Sequence, residues 1–453
     1  MSLQDEDTIV ALSTPPGISA IAVIRISGDK ALSSVKEIFK GKIYPRRVNH
    51  GKIETENGIK DDVLLLFFKK PHSYTGEDLI EIHTHGNMLI VESIIHQLHK
   101  KGVRTALPGE FTKRAFFNGK FDLIQAEALE KLISSSTYEG LRLSFSNIEG
   151  RLSRKVKGLR HSIIKILSQL EANIDFPDYE VDVDWVLFDK TLSMIYSWTE
   201  KILSSSKFSD TLFKGQNVIV AGKANVGKSS LLNAIVQEER ALVSEYPGTT
   251  RDFLRERIVY KEKAFNIIDI AGIEESEKRE IEKKGIERAL KIVKENENIL
   301  FLVDASQEPD EKDFNVFERI KGKRIILVLN KIDKKRKLKK EKAKKLFKGV
   351  LDIIEISAKY EKNIEKLLDK VLYYFGENRK EGEEIVFTQR QKELLLELKD
   401  EVEKVKEKRE AGFGEEILAE HVRKMLEVVG KLTGEVHTED ILEKIFSSFC
   451  IGK

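Results

Sequence analysis

Cysteine is almost absent: Cys450 stands alone in 453 residues, so no internal disulfide can form, and a reducing cytoplasm is the expected setting. Proline is scarce at 8 residues, and 34 % of the chain is charged and rich in Lys and Glu, a combination that hints at a thermophilic source. Long apolar runs are missing too. Arg25 ends the run from Ile18 to Ile24 and charges end the others, so nothing approaches the ~18 residues a membrane helix needs. The opening MSLQDEDTIV is acidic and lacks the apolar centre of a secretion signal, so no leader is expected. Neither sign of charge dominates: 78 basic and 75 acidic residues give a net +3, which neither demands nor excludes a nucleic-acid partner. The length allows about three domains, each burying its own core.

Residues 1–120 are β-rich, with strands expected at Thr8–Leu12, Ala20–Ile26 and Leu79–His85, and Val63–Phe68 as a buried run. His83 and His85 share one face of their strand, a spacing that suits a metal or, by default, a hydrogen-bonded histidine pair. From Asp122 the apolar residues recur at helical spacing, and the same style returns after Gly382 in 394–408 and 415–432. Thr438 is placed to cap a last helix, with Glu439 and Asp440 in its first turn. Between these helical stretches lies an α/β pattern, which implies a domain inserted into a discontinuous helical one. The expected architecture is α/β and α+β multidomain: an N-terminal domain over 1–120, helical parts over 121–214 and 377–453, and a doubly wound P-loop domain over 215–376.

The inserted domain carries the strongest chemical signal. The β-branched Val218–Val220 leads into Gly222-Lys223-Ala224-Asn225-Val226-Gly227-Lys228-Ser229, followed by the helix-forming Ser230-Leu231-Leu232-Asn233. Strand, glycine loop and helix in that order are the setting a G-x-x-x-x-G-K-[ST] phosphate loop requires. The glycines turn backbone N–H groups toward phosphate oxygens, Lys228 reaches the β- and γ-phosphates, and the Ser229 hydroxyl can ligate Mg²⁺. Asp269-Ile270-Ala271-Gly272 follows a second strand, where Asp269 can hold the Mg²⁺ shell and the Gly272 N–H can meet the γ-phosphate. Asn330-Lys331-Ile332-Asp333 and Ser357-Ala358-Lys359 close two further strands. A carboxylate at Asp333 accepts from the ring N–H and amine of guanine, for which adenine has no counterpart. A kinase or ATPase needs neither loop, so the nucleotide read from these residues is GTP. Residue 273 is Ile, which cannot position water as the Ras-type Gln does, so another group must take that role. Arg251 and Arg255 are candidates for the missing cis arginine, and the amide of Asn225 points to a monovalent cation beside the phosphates.

From Lys331 to Lys348, eleven of eighteen residues are Lys or Arg. The run has no aromatic before Phe347, and Leu338, Leu346 and Phe347 fit one buried edge, which favours a solvated helix over a nucleic-acid site.

The loop with Asn225, the stretch Gly248-Thr249-Thr250-Arg251-Asp252 and the C-terminal FSSFCIGK resemble the MnmE/TrmE tRNA-modification GTPases. So do DTIVALSTPPG near the start, SYTGEDLIEIHTHG (73–86) and PGEFTKRAFFNGKFDLIQAEAL (108–129). The resemblance implies a folate-binding first domain that dimerises, a helical domain split by a Ras-like GTPase domain, and a Cys-x-Gly-Lys tail. It implies an FAD- and NADH-dependent partner, MnmG, and a one-carbon tetrahydrofolate such as 5-formyl-tetrahydrofolate. The two proteins would attach an aminomethyl or carboxymethylaminomethyl group to carbon 5 of the tRNA wobble uridine. Carried over by position, the nucleotide site takes Asn225 through Ser230, Ser244, Glu245, Tyr246, Pro247, Gly248, Thr249 and Thr250. Within it, Asn225, Ser244, Tyr246 and Thr249 would surround K⁺, while Ser229 and Thr250 hold Mg²⁺. Glu282 matches the family's catalytic glutamate, and Arg25, Glu81, Lys120 and Lys453 its folate contacts, with Cys450 beside them as a second catalytic candidate. Ile270, Glu274, Leu107 and Asn87 depart from the usual pattern. A ribosome- or RNA-associated GTPase without modification chemistry is the alternative.

Overall fold

The computed structural model describes residues 7–176, 183–205, 209–238, 255–269, 291–376 and 388–453. The chain divides into two compact units: Met1–Ile133 with Ser144–Ser204 and Val386–Lys453, and Ser134–Leu143 with Ser205–Ile385. Among the described residues no helix is long and apolar enough to cross a membrane.

The first unit holds a seven-stranded sheet. Its strands are β1 (Ile9–Leu12), β2 (Ser19–Ser27), β3 (Phe39–Lys40), β4 (Val48–Glu54), β5 (Lys60–Phe68), β6 (Leu79–Gly86) and β7 (Arg104–Thr105), in the order β3-β4-β5-β6-β2-β1-β7. Side chains alternate across the sheet, so Ile24, Ile26, Ile80 and Ile82 enter one core with Val91, Ile94 and Leu98 of the helix Met88–Lys100. The same alternation aims Arg25 and Glu81, cross-strand neighbours on β2 and β6, at the opposite face. The run Val63–Phe68 is not uniformly buried. Leu64 is 42 % exposed between buried Val63 and Leu65, because only one face of this antiparallel pair meets the core.

The helices Arg151–Asp175, Trp185–Ser205, Gln389–Glu410 and Glu415–Thr433 share a second core in this unit, built from stripes such as Leu159, Ile163, Ile166 and Leu170. The helix Leu123–Ser134 joins them through Glu127. Buried at 4 % exposure, Glu127 accepts from Nε and Nη2 of Arg390 at 2.8 Å each, and from Thr388 and Gln391. The last helix is Glu439–Phe446, with Thr438 at its N-cap position, but the Thr438 hydroxyl makes no capping bond.

In the second unit β8 (Gln216–Ala221), β9 (Arg255–Tyr260), β10 (Lys263–Asp269), β11 (Asn298–Asp304), β12 (Arg324–Asn330) and β13 (Asp352–Glu355) form a sheet in the order β13-β12-β11-β8-β10-β9. Only β9 runs antiparallel to its neighbour. Every residue of β11 (NILFLVD) is buried, as a central parallel strand covered on both faces requires. The helices Lys228–Glu238 and Ile364–Phe375 cover one face, and Glu311–Ile320 and Lys340–Leu346 the other. Because β8 lies between β10 and β11, sheet growth reverses there. The crevice beyond its carboxyl end is therefore the natural ligand position.

Candidate functional site

The phosphate loop occupies that crevice. Gly227 has φ 101°, and a Cβ there would collide with the side-chain nitrogen of Asn330, so only glycine serves both the backbone and its neighbour. Asn225 sits at φ 63°, a left-handed conformation that asparagine tolerates, with its side chain exposed. Lys228 Nζ donates to the carbonyls of Gly222 at 2.6 Å and Lys223 at 3.1 Å, which holds the ammonium over the mouth of the loop. Ser229 and Ser230 are exposed at the start of the helix Lys228–Glu238. Asp269 ends β10 level with Val220 on β8. Its Oδ1 is buried with no hydrogen-bond partner among the described residues. Burial pushes the Asp269 carboxyl up, and the positive charge of Lys228 partly offsets this. An orphaned carboxylate oxygen at this point fits the shell of a hard divalent cation.

The base-recognition end is tied to the loop through one side chain. Asn330 Nδ2 donates to the Val226 carbonyl at 2.8 Å, while its Oδ1 accepts from the N–H groups of Lys331 (2.8 Å) and Ala358 (3.0 Å). Lys331 Nζ bridges the Asn225 carbonyl and Asp304 Oδ2, both at 2.7 Å. Ser357 Oγ donates to Asp333 Oδ1 at 2.6 Å, the main reason the Asp333 carboxyl lies below its usual range. Ile332 is buried, and Lys359 lies over the ring of Tyr360. Asn225–Ser230, Asp269, Asn330–Asp333 and Ser357–Lys359 thus converge on one crevice. Ser244, Glu245, Tyr246, Pro247, Gly248, Thr249, Thr250, Ile270, Ala271, Gly272 and Glu282 lie outside the described residues.

Sequence reasoning missed the supports of this crevice. Asp304 steadies Lys331, and Lys223 reaches from the loop to Asp310 Oδ2 and Asp313 Oδ2, both at 2.7 Å. Those two aspartates form the capping box of the helix Glu311–Ile320. Burial works against the Lys223 charge, but the hydrogen bonds to Asp310 and Asp313 outweigh it and hold the ammonium above its usual range. The D-x-x-D spacing before an apolar helix was the available signal. Lys223→Met is expected to weaken GTP binding by roughly tenfold with turnover at saturation nearly unchanged, because it loosens the loop rather than the reacting groups. Titration with a fluorescent GTP analogue checks this; unaltered affinity would show the cluster to be purely structural.

A second cluster lies on the open face of the first sheet. Arg25 Nε and Nη2 donate to Glu81 Oε1 at 3.0 and 2.7 Å, and Nη1 donates to the Gly452 carbonyl at 3.1 Å. The guanidinium also faces the rings of Tyr74 and Phe111, 5.5 and 5.7 Å from their centroids. Ser13 Oγ donates to the same Gly452 carbonyl, and the Phe111 N–H to that of Lys453. Gly452 has φ 92° and presses against the Leu12 backbone where a Cβ would clash. Burial, and then the neighbouring Arg25, push the Lys453 ammonium down. Arg25, Glu81 and Lys453 are thereby brought together, whereas Lys120 donates to the Pro71 carbonyl and Cys450 is exposed.

The two histidines of β6 do not pair with each other. His85 Nδ1 bonds Asp61 Oδ1 at 2.6 Å, and the exposed ring is raised above its usual pKa by that bond. His83 Nε2 lies 3.7 Å from Glu81 Oε2 and is buried without a hydrogen-bond partner. Among the described residues no group of three or more His, Cys, Asp or Glu is placed to hold a metal. His83 therefore joins the Arg25 cluster, a placement its i,i+2 spacing from Glu81 could have signalled.

A phosphate loop at the switch point of a doubly wound sheet, closed by Asn-Lys-x-Asp and Ser-Ala-Lys loops, defines a guanine-nucleotide-binding domain. Residues 8–120 match the family model of the GTP-binding protein TrmE N-terminus, and residues 123–450 that of the MnmE helical domain. The tRNA modification GTPase MnmE of Pseudothermotoga lettingae is 40 % identical over 454 residues, covering 99 % of this chain and 100 % of its own. That of Aquifex aeolicus is 39 % identical with the same coverage. The G domain of the T. maritima FeoB iron transporter matches 35 % of this chain and 98 % of its own at 24 % identity, with a TM-score of 0.29. The chain belongs to the MnmE family of tRNA modification GTPases. It binds GTP and is a GTP hydrolase.

Proposed function

We propose that this chain hydrolyses GTP in a K⁺-stimulated, dimerisation-linked cycle in the cytoplasm. As a homodimer with MnmG, it installs an aminomethyl or carboxymethylaminomethyl group on carbon 5 of the tRNA wobble uridine. Ser229 and Asp269, with Thr250, hold Mg²⁺; Asn225, with Ser244, Tyr246 and Thr249, surrounds K⁺. These cations supply positive charge against the phosphates. Glu282 orients the attacking water that Ile273 cannot. A one-carbon tetrahydrofolate, supplying the transferred carbon, is taken by Arg25, Glu81, Lys120 and Lys453.

The observation that supports modification chemistry over a bare GTPase switch is the Arg25 cluster. Two cationic side chains face one carboxylate there, beside the orphaned His83 Nε2 and two aromatic rings. That surplus of positive charge with flat apolar walls suits a ligand carrying both a carboxylate and a heteroaromatic ring. Glu81 Oε1 is taken by Arg25, so Oε2 is the oxygen left to accept from the ring.

The test incubates the chain with MnmG, 5-formyl-tetrahydrofolate, FAD, NADH, GTP, tRNA and ammonium or glycine as the source of the amine nitrogen, in K⁺ or Na⁺, followed by mass analysis of the nucleosides. Modified wobble uridine in K⁺, with much slower GTP turnover in Na⁺, is the expected result. GTP hydrolysis that leaves every uridine unchanged would instead identify an RNA-associated GTPase without modification chemistry.

A further inference from the structure

The run from Lys331 to Lys348 is, apart from Lys331, not used by the nucleotide site. Its eleven basic residues stand against two acidic ones, so the rest of the chain is six charges negative. The surplus of positive charge is therefore concentrated in this one segment. Ten of the eleven are exposed, and only Lys331 is half-buried. Among the described residues Arg336 pairs with Glu355 and Lys342 with Glu308, while Lys340, Lys344, Lys345 and Lys348 have no ion-pair partner.

Helix stability does not explain this arrangement. The helix Lys340–Leu346 has seven residues, and its N-cap, Lys339, makes no side-chain capping bond. Lysines at its N-terminus oppose the helix dipole, and Lys340 with Lys344 places like charges one turn apart. A helix this short persists through its buried edge, where Leu338, Ala343 and Phe347 are 0 % exposed. Glu308 offsets Lys342, Glu341 stands one turn from Lys345 and Asp352 acts on Lys340 at longer range, but among the described residues these acids do not balance the segment's nine-charge excess, which is the arrangement a polyanionic partner would relieve.

We infer that the surface around Lys340–Lys348 docks the phosphate backbone of structured RNA. The one aromatic of the run, Phe347, is buried, so no ring is offered for base stacking, and contact is with phosphates in a sequence-independent manner. A lipid surface would require more apolar anchorage than Leu346, at 38 % exposure, provides. The choice of tRNA as probe rests on the function proposed above; the location of the surface does not.

The test measures binding of the full chain to unfractionated bacterial tRNA by fluorescence anisotropy over a salt series. Lys340→Gln, Lys344→Gln, Lys345→Gln and Lys348→Gln combined should weaken tRNA binding about 10²-fold near ~0.1 M salt, and lower the log–log salt slope by roughly three to four. GTP turnover should be unchanged and the thermal midpoint equal or slightly higher, because the buried edge is untouched and the like-charge contact of Lys340 with Lys344 is removed. The four Lys→Arg replacements should retain binding. Lys344→Glu alone, which gives Lys340 an opposite charge one turn away and leaves the Glu341–Lys345 spacing intact, should also weaken tRNA binding, so a folding defect cannot mimic the result. An unchanged slope in the Gln and Glu variants overturns the inference. So does a loss confined to anionic vesicles or polyglutamate, which would identify a membrane or an acidic protein as the occupant. Unmodified uridine with this tRNA binding intact would sink the proposed function alone.

Discussion

Asp333→Asn is expected to raise the dissociation constant for GTP by roughly 10²–10⁴ and to favour a xanthosine nucleotide instead. Guanine presents two adjacent donors, the ring N–H and the exocyclic amine, and a carboxylate has acceptors for both. Ser357 Oγ fixes the Asp333 carboxyl at 2.6 Å and stabilises its charged form, so the acceptor is both oriented and ionised. Asparagine keeps the shape but turns one acceptor into a donor, which then faces a guanine N–H. Replacing the guanine amine by a keto oxygen, as in xanthine, restores the match. Competition binding with GTP, ATP and xanthosine triphosphate measures the effect. GTP affinity within threefold of the parent would show that Asp333 does not contact the base. Lys228 and Asp269 are untouched, so turnover with the xanthosine nucleotide should persist.

Glu127→Ala is expected to destabilise the first unit by about 3–5 kcal/mol and lower its melting temperature by roughly 6–20 °C. Glu127 is buried, and its carboxylate satisfies the fork of Arg390 together with Thr388 and Gln391. Among the described residues, truncation leaves a largely buried guanidinium with only the carbonyls of Lys431 and Leu432 for company. Removing both charges with apolar groups of similar volume, Glu127→Leu with Arg390→Met, should cost much less, because no buried charge is left unpaired. Calorimetry of the single and double variants separates the cases. A melting temperature for Glu127→Ala within about 1 °C of the parent would mean that water has taken over the carboxylate's role.

The two kinds of site residue were not equally legible in the sequence. Val218–Ser229, Asn330–Asp333 and Ser357–Lys359 each announce themselves locally, because a strand followed by a loop of fixed composition has one geometric outcome. Helix positions around Leu159, Leu398 and Val422 were legible through their 3.6-residue period. The cross-chain supports were not. That Lys223 meets Asp313, that Asn330 reaches Val226, or that Glu127 meets Arg390 depends on strand order and helix packing. No short stretch encodes either. The strand Lys60–Phe68 shows the same limit: the apolar content of Val63–Phe68 signalled a buried run, but which face is wet is set by its partners. Arg25 and Glu81 became a candidate pair only through family resemblance, and the register of β2 against β6 supplies the physical reason they touch.

Asn330 carries a thermodynamic consequence. A single amide holds the loop at Val226 with one end and the backbone of Lys331 and Ala358 with the other. Ordering the base end therefore prepays part of the entropy of ordering the phosphate end. The two halves of the nucleotide are thereby expected to bind as linked ligands, with guanosine and triphosphate added separately recovering less free energy than GTP does whole. Discrimination against a wrong base is then registered at the phosphates too, as a loosened grip on the atoms that react.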